Sequence, residues 1–151
     1  MADDRQFCTF TLDNLLFGVE VRDVQEVIRC QHITYVPRAA ASVHGLINLR
    51  GQIVTAIDLR SRLKLPKRPA DRQPMNVVIR SGDDVVSMLV DEIGDVVAVD
   101  ETTFEKPPDT LDGIARSLIR GAYKLENRLL LNLDTDKTIK LYEQDLGTAW
   151  Q

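Results

Sequence analysis

Gly45-Leu46-Ile47-Asn48-Leu49-Arg50-Gly51, running into Gln52-Ile53-Val54-Thr55-Ala56-Ile57, is the stretch on which the fold turns. Alternation with period two puts Leu46, Asn48 and Arg50 on one face of a strand and Ile47 and Leu49 on the other. Glycine accepts positive φ cheaply, so Arg50-Gly51 suits a tight hairpin turn into the second apolar run. The polar face has two readings. It is an ordinary solvated outer face, or it holds an arginine fork rigidly at a sheet edge, ready for a partner carboxylate or a tuning salt bridge.

The same rhythm of short strands and turn residues continues on both sides. Phe7 to Leu12 is rich in strand formers, Asp13-Asn14 is a tight turn, and Leu15 to Val19 returns as the second half of a hairpin. Met75 to Arg80 and Val85 to Val90 flank the turn Ser81-Gly82-Asp83-Asp84, and the second run is apolar on both faces, as in a strand buried on both sides. Gly94 to Val99, Gly121 to Glu126 and Leu129 to Leu133 follow, the last two around a turn at Asn127-Arg128. Many short strands with turns roughly every ten residues indicate a mainly β sandwich or barrel. Helical signals are short: Val21 to Ile28 places Val21, Val24 and Ile28 on one face, Asp58 caps a turn reaching Leu63, and Asp134 caps a last helix holding Ile139 and Leu141, with Leu146 further along.

Residues 65–74, with Pro66, Pro69 and Pro74 among charges, cannot be a core strand because proline removes ladder donors. They read as an exposed connector between two small β-subdomains, about 13–73 and about 74–151, within one domain spanning 1–151, the N-terminal strand crossing between them.

A chain of 151 residues can bury a real core without staples, and 44% apolar with 28% charged residues is ordinary globular composition. The net charge of −4 and the absence of a basic stripe argue against a nucleic-acid surface, and the shortage of aromatics removes stacking platforms. The acidic start Met1-Ala2-Asp3-Asp4 has no apolar signal region, and no run approaches the roughly 20 apolar residues of a membrane span. Cys8 and Cys30 lack the spacing of metal or redox motifs and read as reduced thiols in a cytoplasmic protein.

Catalytic chemistry finds little support. No Gly-x-Gly or Gly-x-Ser-x-Gly occurs, and His32 and His44, the only histidines, sit in no ligand motif, so neither a cofactor nor a metal is expected. Asp134-Thr135-Asp136 resembles the start of a calcium loop but lacks its glycine and later glutamate; acidic residues at a helix start explain it better. Asp58 and Asp91 each follow an apolar strand, where capping and turn roles are commoner than paired catalysis.

The Gly45-to-Gly51 block, with Ile53-Val54 and Ile57-Asp58-Leu59-Arg60 behind it, is similar to the signature of the CheW family of chemotaxis coupling proteins. Phe10 to Val19, Val24 to Ile28, Val36-Pro37, Leu89 to Ile93 with Asp95 to Val97, Pro107-Pro108 and Leu129 to Asp134 resemble the family too, extending the likeness from Phe7 to about Ile139. Ser87 departs from it, standing where the family usually has glycine. The resemblance implies two intertwined SH3-like barrels of about five strands each and a non-catalytic, cofactor-free adaptor. Its implied partners are the regulatory domain of the histidine kinase CheA and the cytoplasmic hairpin tip of chemoreceptors, with weak self-association in arrays. It places the chain in the cytoplasm, peripheral to membrane receptor arrays through protein contacts and not inserted in the bilayer. Carried over by position, the partner-binding residues are Val24, Glu26, Gly45, Asn48, Leu49, Arg50 and Gly51. Glu26 and Arg50 would form an ion pair shaping a groove, and the stripe holding Val24 reads equally well as core. Two alternatives stand beside this: an adaptor of a non-flagellar motility or developmental pathway, and a small β-barrel ligand-binding protein.

Overall fold

Phe7, Phe10 and Leu12 all turn inward along β1 (Arg5–Leu12), and the two-residue turn Asp13-Asn14 folds the chain back onto β2 (Leu15–Glu20). Asp13 adopts φ 57° there, a left-handed conformation that Asp and Asn tolerate better than most residues. The computed structural model describes residues 5–29, 33–34, 43–63, 65–66, 68–69, 73–109 and 113–141. Val36-Pro37, Cys30, His32 and Leu146 lie outside these residues.

Val21 to Ile28 departs from the expected helical stretch. Val21–Asp23 is a single 3-10 turn, and Val24–Ile28 is strand β3, paired antiparallel with β6 (Met75–Ser81) through Val27↔Val77 and Ile28↔Asn76. Eight residues rich in β-branched side chains, with no side-chain cap at Glu20, hold a helix weakly; a ladder on an available sheet edge outweighs it.

The hairpin read from the opening stretch is present as β4 (Val43–Leu49) and β5 (Gln52–Asp58), joined at Leu49↔Gln52 by Arg50-Gly51. Asp58 accepts a hydrogen bond from the Arg60 amide (3.0 Å) at the start of α1 (Leu59–Arg62). Next come β7 (Asp84–Val90), β8 (Glu92–Val99), β9 (Phe104–Glu105), α2 (Gly113–Leu118), β10 (Ile119–Lys124) and β11 (Leu129–Leu133). A last helix, α3, starts at 135 and is described through 141, its amide at Lys137 capped by Asp134 (3.0 Å). The sequence reading had not anticipated β9 and α2.

Two sheets result. One has six strands in the order β8-β1-β2-β11-β10-β9, the other five in the order β3-β6-β7-β5-β4. The parallel neighbours β2–β11 and β5–β7 knit together segments far apart in sequence. Strand pairing therefore does not follow the expected halves at residues 73 and 74: β6 and β7 complete the sheet of β3–β5, and the whole first hairpin, not only its first strand, joins β8–β11. The 65–74 connector lies within one sheet's sequence.

Burial divides into three parts. Phe7, Leu16, Val99, Tyr123 and Leu130 cluster on one side of the six-stranded sheet, Ile47, Leu49, Val54, Ala56 and Val78 on one side of the five-stranded sheet. The largest cluster draws on both, from Phe10, Phe17 and Leu131 to Ile57, Val77 and Met88, and the helices close it through Leu118 and Ile139. Alternate residues of β7 reach different clusters, Val86 and Met88 the shared one and Val85 the smaller, as its two-faced apolarity required.

Candidate functional site

Arg50 and Gly51 occupy the two central positions of the β4–β5 turn with φ 53° and 88°, the double left-handed geometry whose twist suits a two-residue hairpin. Gly51 takes this without penalty; Arg50 does not, since a Cβ in that region costs roughly 1 kcal/mol. Asn48 holds the turn from below, its Oδ1 accepting a hydrogen bond from the Gly51 amide at 2.9 Å. The Arg50 guanidinium reaches across to Glu26 on β3, Nη2 to Oε1 at 2.9 Å. The ion pair expected between these residues thus forms. It joins β3 and the end of β4, the two outer strands of the five-stranded sheet, and with the Thr34–Leu46 bridge it marks where that sheet curls back on itself.

The arginine side chain is 81% exposed and the glutamate 18%. Screening by water leaves such a pair worth about 0–1 kcal/mol, so its effect is chiefly positional. A strained, outward-pointing arginine fixed at its tip by one carboxylate keeps further N–H donors turned to solvent, where a partner carboxylate can engage them.

The other expected site residues sort by burial. Val24 is half-buried and packs against the shared core, which favours the core reading of its stripe. Leu49 is buried beside Ile47 and Val54. Gly45 is buried too: a Cβ there would meet the Thr34 carbonyl and come within 2.5 Å of Ile33 Cγ2, so only glycine lets the 33–34 segment pair at this point. Glu26, Asn48, Arg50 and Gly51 come together at one corner; Val24, Gly45 and Leu49 support it from inside. One exposed apolar side chain near the corner was not among the expected site residues, Ile53, paired with Asn48. Apolar residues in apolar strands carry no mark of which face meets solvent.

A second polar cluster lies behind the sheets. Asp91, between β7 and β8, receives Arg60 through two nitrogens, one of them Nε at 3.2 Å, and Arg68 Nε at 3.0 Å, while the Asp13 amide donates to it at 2.7 Å. Arg68 also approaches Asp58 at 3.5 Å, Arg60 donates to the Pro66 carbonyl at 2.5 Å, and the Asp91 amide donates to Thr11 O at 3.0 Å. Burial alone would raise the Asp91 carboxyl; Arg60, the Asp13 amide and Arg68 outweigh that and hold it below the usual carboxylate range. A carboxylate so committed is a brace, in keeping with the turn role expected of it, and it ties the first hairpin to α1, Pro66 and Arg68. Among the described residues, no three acidic, histidine or cysteine side chains are grouped to hold a metal ion, and no helix is long and apolar enough to cross a membrane.

Two β-sheets packed on a shared core, with an ion-paired arginine at one corner, define the class: a small mainly β protein of SH3-like subdomains. The chain belongs to the CheW-like domain family, whose family model matches residues 6–143. It is 29% identical to chemotaxis protein CheW of Treponema pallidum over 142 residues, covering 90% of this chain and 84% of that protein. It is 32% identical to chemotaxis protein CheW of Bacillus subtilis over 130 residues, covering 86% and 83%. Protein PilI of Pseudomonas aeruginosa is 24% identical over 122 residues, covering 81% and 68%. The crystal structure of the scaffolding protein TtCheW from Thermoanaerobacter tengcongensis superposes with a TM-score of 0.78 at 27% identity, covering 87% of this chain and 89% of that one. The protein is a chemotaxis scaffold of this non-catalytic family, and its mainly β architecture with SH3-like subdomains is the family's.

Proposed function

We propose that this protein couples the cytoplasmic tips of chemoreceptors to the histidine kinase CheA, acting at the cytoplasmic face of receptor arrays. The observation that carries the reading is the Arg50 corner: a side chain held in a costly backbone conformation, anchored to Glu26 and left open to solvent. Unfavourable backbone geometry at an exposed charged residue is more readily maintained by a binding role than by stability. Ile53, 61% exposed and paired with Asn48, supplies an apolar neighbour of the kind an amphipathic receptor helix seats on. Weak single contacts suit an array in which many act together, self-association between copies included.

The test is calorimetric titration of the intact protein with the CheA regulatory domain, then with a receptor-tip hairpin. Arg50→Ala should leave the circular dichroism spectrum and melting temperature nearly unchanged and weaken one titration by about tenfold, as expected for loss of a charge-assisted contact. Unaltered affinity for both ligands would remove Arg50 from the interface. The similarity to protein PilI supports a second reading, the same adaptor role in a pathway other than flagellar chemotaxis. Binding to the receptors and kinase of such a pathway, and not to the flagellar set, would select it.

A further inference from the structure

Away from the Arg50 corner, at the opposite sheet, the β1–β2 and β10–β11 turns lie side by side because β2 and β11 run parallel, with Leu16↔Leu130 and Phe17↔Leu131 in register. Between them is a pocket of about 290 Å3 walled by Leu15, Leu16, Leu129 and Leu131 and closed on one side by Pro108. Leu15 and Leu129, 36% and 38% exposed, form its mouth. Arg128, the last residue of the β10–β11 turn, stands at the rim. Among the described residues its guanidinium has no ion-pair or hydrogen-bond partner, in contrast to Arg5, Arg22, Arg50, Arg60, Arg68 and Arg120, each of which meets a carboxylate.

We infer that this pocket binds a small amphiphilic carboxylate, its hydrocarbon body among the four leucines and its carboxylate on Arg128. The lining is mostly apolar, with the Asn14 amide and one cation, Arg128, the usual composition of a small-molecule site, although the volume is at the lower end of that class. At about 30 Å3 per water-sized group the space holds about ten non-hydrogen atoms, the size of octanoate. A neutral hydrocarbon would leave the arginine unused. A dianion would oppose the protein's net charge of −4 with only one cation to offset it. Uncharged length with a single terminal charge fits both features. The site is remote from the Arg50 corner, so its failure would leave the adaptor reading untouched, and the reverse holds as well.

The experiment is titration of the isotopically labelled full-length protein with octanoate, followed by methyl and amide NMR, beside octan-1-ol as the uncharged probe. Octanoate should saturate with a dissociation constant of about 0.1–1 mM, the range open to a ligand of about ten atoms, with shifts concentrated at Leu15, Leu16, Leu129 and Leu131. Arg128→Gln, a change in an exposed turn, should preserve the amide spectrum and weaken octanoate about tenfold while leaving octan-1-ol unchanged. Equal binding of the two probes, shifts centred elsewhere, no saturation by about 10 mM, or an Arg128→Gln variant that binds octanoate as tightly as the parent would each overturn the assignment.

Discussion

Replacing Asp91 by asparagine keeps the shape of the side chain and removes its charge from the most buried ionic cluster among the described residues. The side chains of Arg60, Asp91 and Arg68 are 7%, 5% and 9% exposed. Removing one member of a buried ion pair typically costs about 3–5 kcal/mol, because the remaining charge is stranded away from water. Here the two arginines are not stranded equally. Arg68 retains Asp58 at 3.5 Å, whereas Arg60 is left with the Pro66 carbonyl and no described carboxylate. One uncompensated guanidinium places the loss near the lower bound, about 3 kcal/mol, or a melting temperature about 6–12 °C lower for a chain of this size. Arg68→Gln, which leaves Arg60 and the Asp13 amide on Asp91, should cost clearly less. Urea unfolding followed by circular dichroism measures both. The pH dependence sharpens the test. The folded-state carboxyl lies below its unfolded value, so its stabilisation is fully present above about pH 4 and is lost as pH falls through the folded pKa. The gap between parent and Asp91→Asn should therefore be widest near neutrality and shrink in acid. A loss under about 1 kcal/mol, a pH-independent gap, or an Arg68→Gln cost equal to that of Asp91→Asn would refute the account of Asp91 as the brace between the first hairpin and α1.

Three further outcomes are expected. Gly51→Ala should destabilise by about 1 kcal/mol through backbone conformation alone, since a Cβ there meets nothing within 4 Å, and thermal melting reads the difference. Ser87→Ala should stabilise by about 1 kcal/mol in chemical denaturation, because the Ser87 hydroxyl is fully buried on β7 with no hydrogen-bond partner among the described residues. Asp134→Ala should cost about 1–2 kcal/mol at neutral pH by removing both the cap at Lys137 and the ion pair to Arg120 at 3.0 Å. Burial alone would raise the Asp134 carboxyl, but Arg120 and the Lys137 amide hold it below the usual range. Its contribution too is present above about pH 4 and lost in acid, so an unchanged acid-unfolding midpoint in the variant would contradict it.

Much of the chain was legible because local physics acts over a few residues. Alternation in residues 45–57 set the faces of β4 and β5, and Gly51 marked the turn, since only a few residues adopt positive φ cheaply. Asp58 and Asp134 announced their helices by capping. The Glu26–Arg50 pair came instead from family likeness; no spacing rule links residues 24 apart on different strands. Other features needed the tertiary structure. Val21 to Ile28 carries an apolar pattern that serves a short helix or a strand, and the open edge of β6 decided for the strand. The 65–74 prolines announced a break between strands but not which strands lie on either side of it, because the parallel pairs β2–β11 and β5–β7 leave no local trace in the sequence, nor that Arg68 would be buried on Asp91. Burial of Gly45, exposure of Ile53, and convergence of Arg60 and Arg68 on Asp91 were likewise outside its reach: each depends on contacts between segments tens of residues apart. The sequence by itself determined most of the strands, the turns, the caps and the faces of β4 and β5, whose energies are local; the tertiary structure alone decided strand pairing, the fate of Val21 to Ile28 and the shared ionic brace, whose energies exist only once distant segments meet.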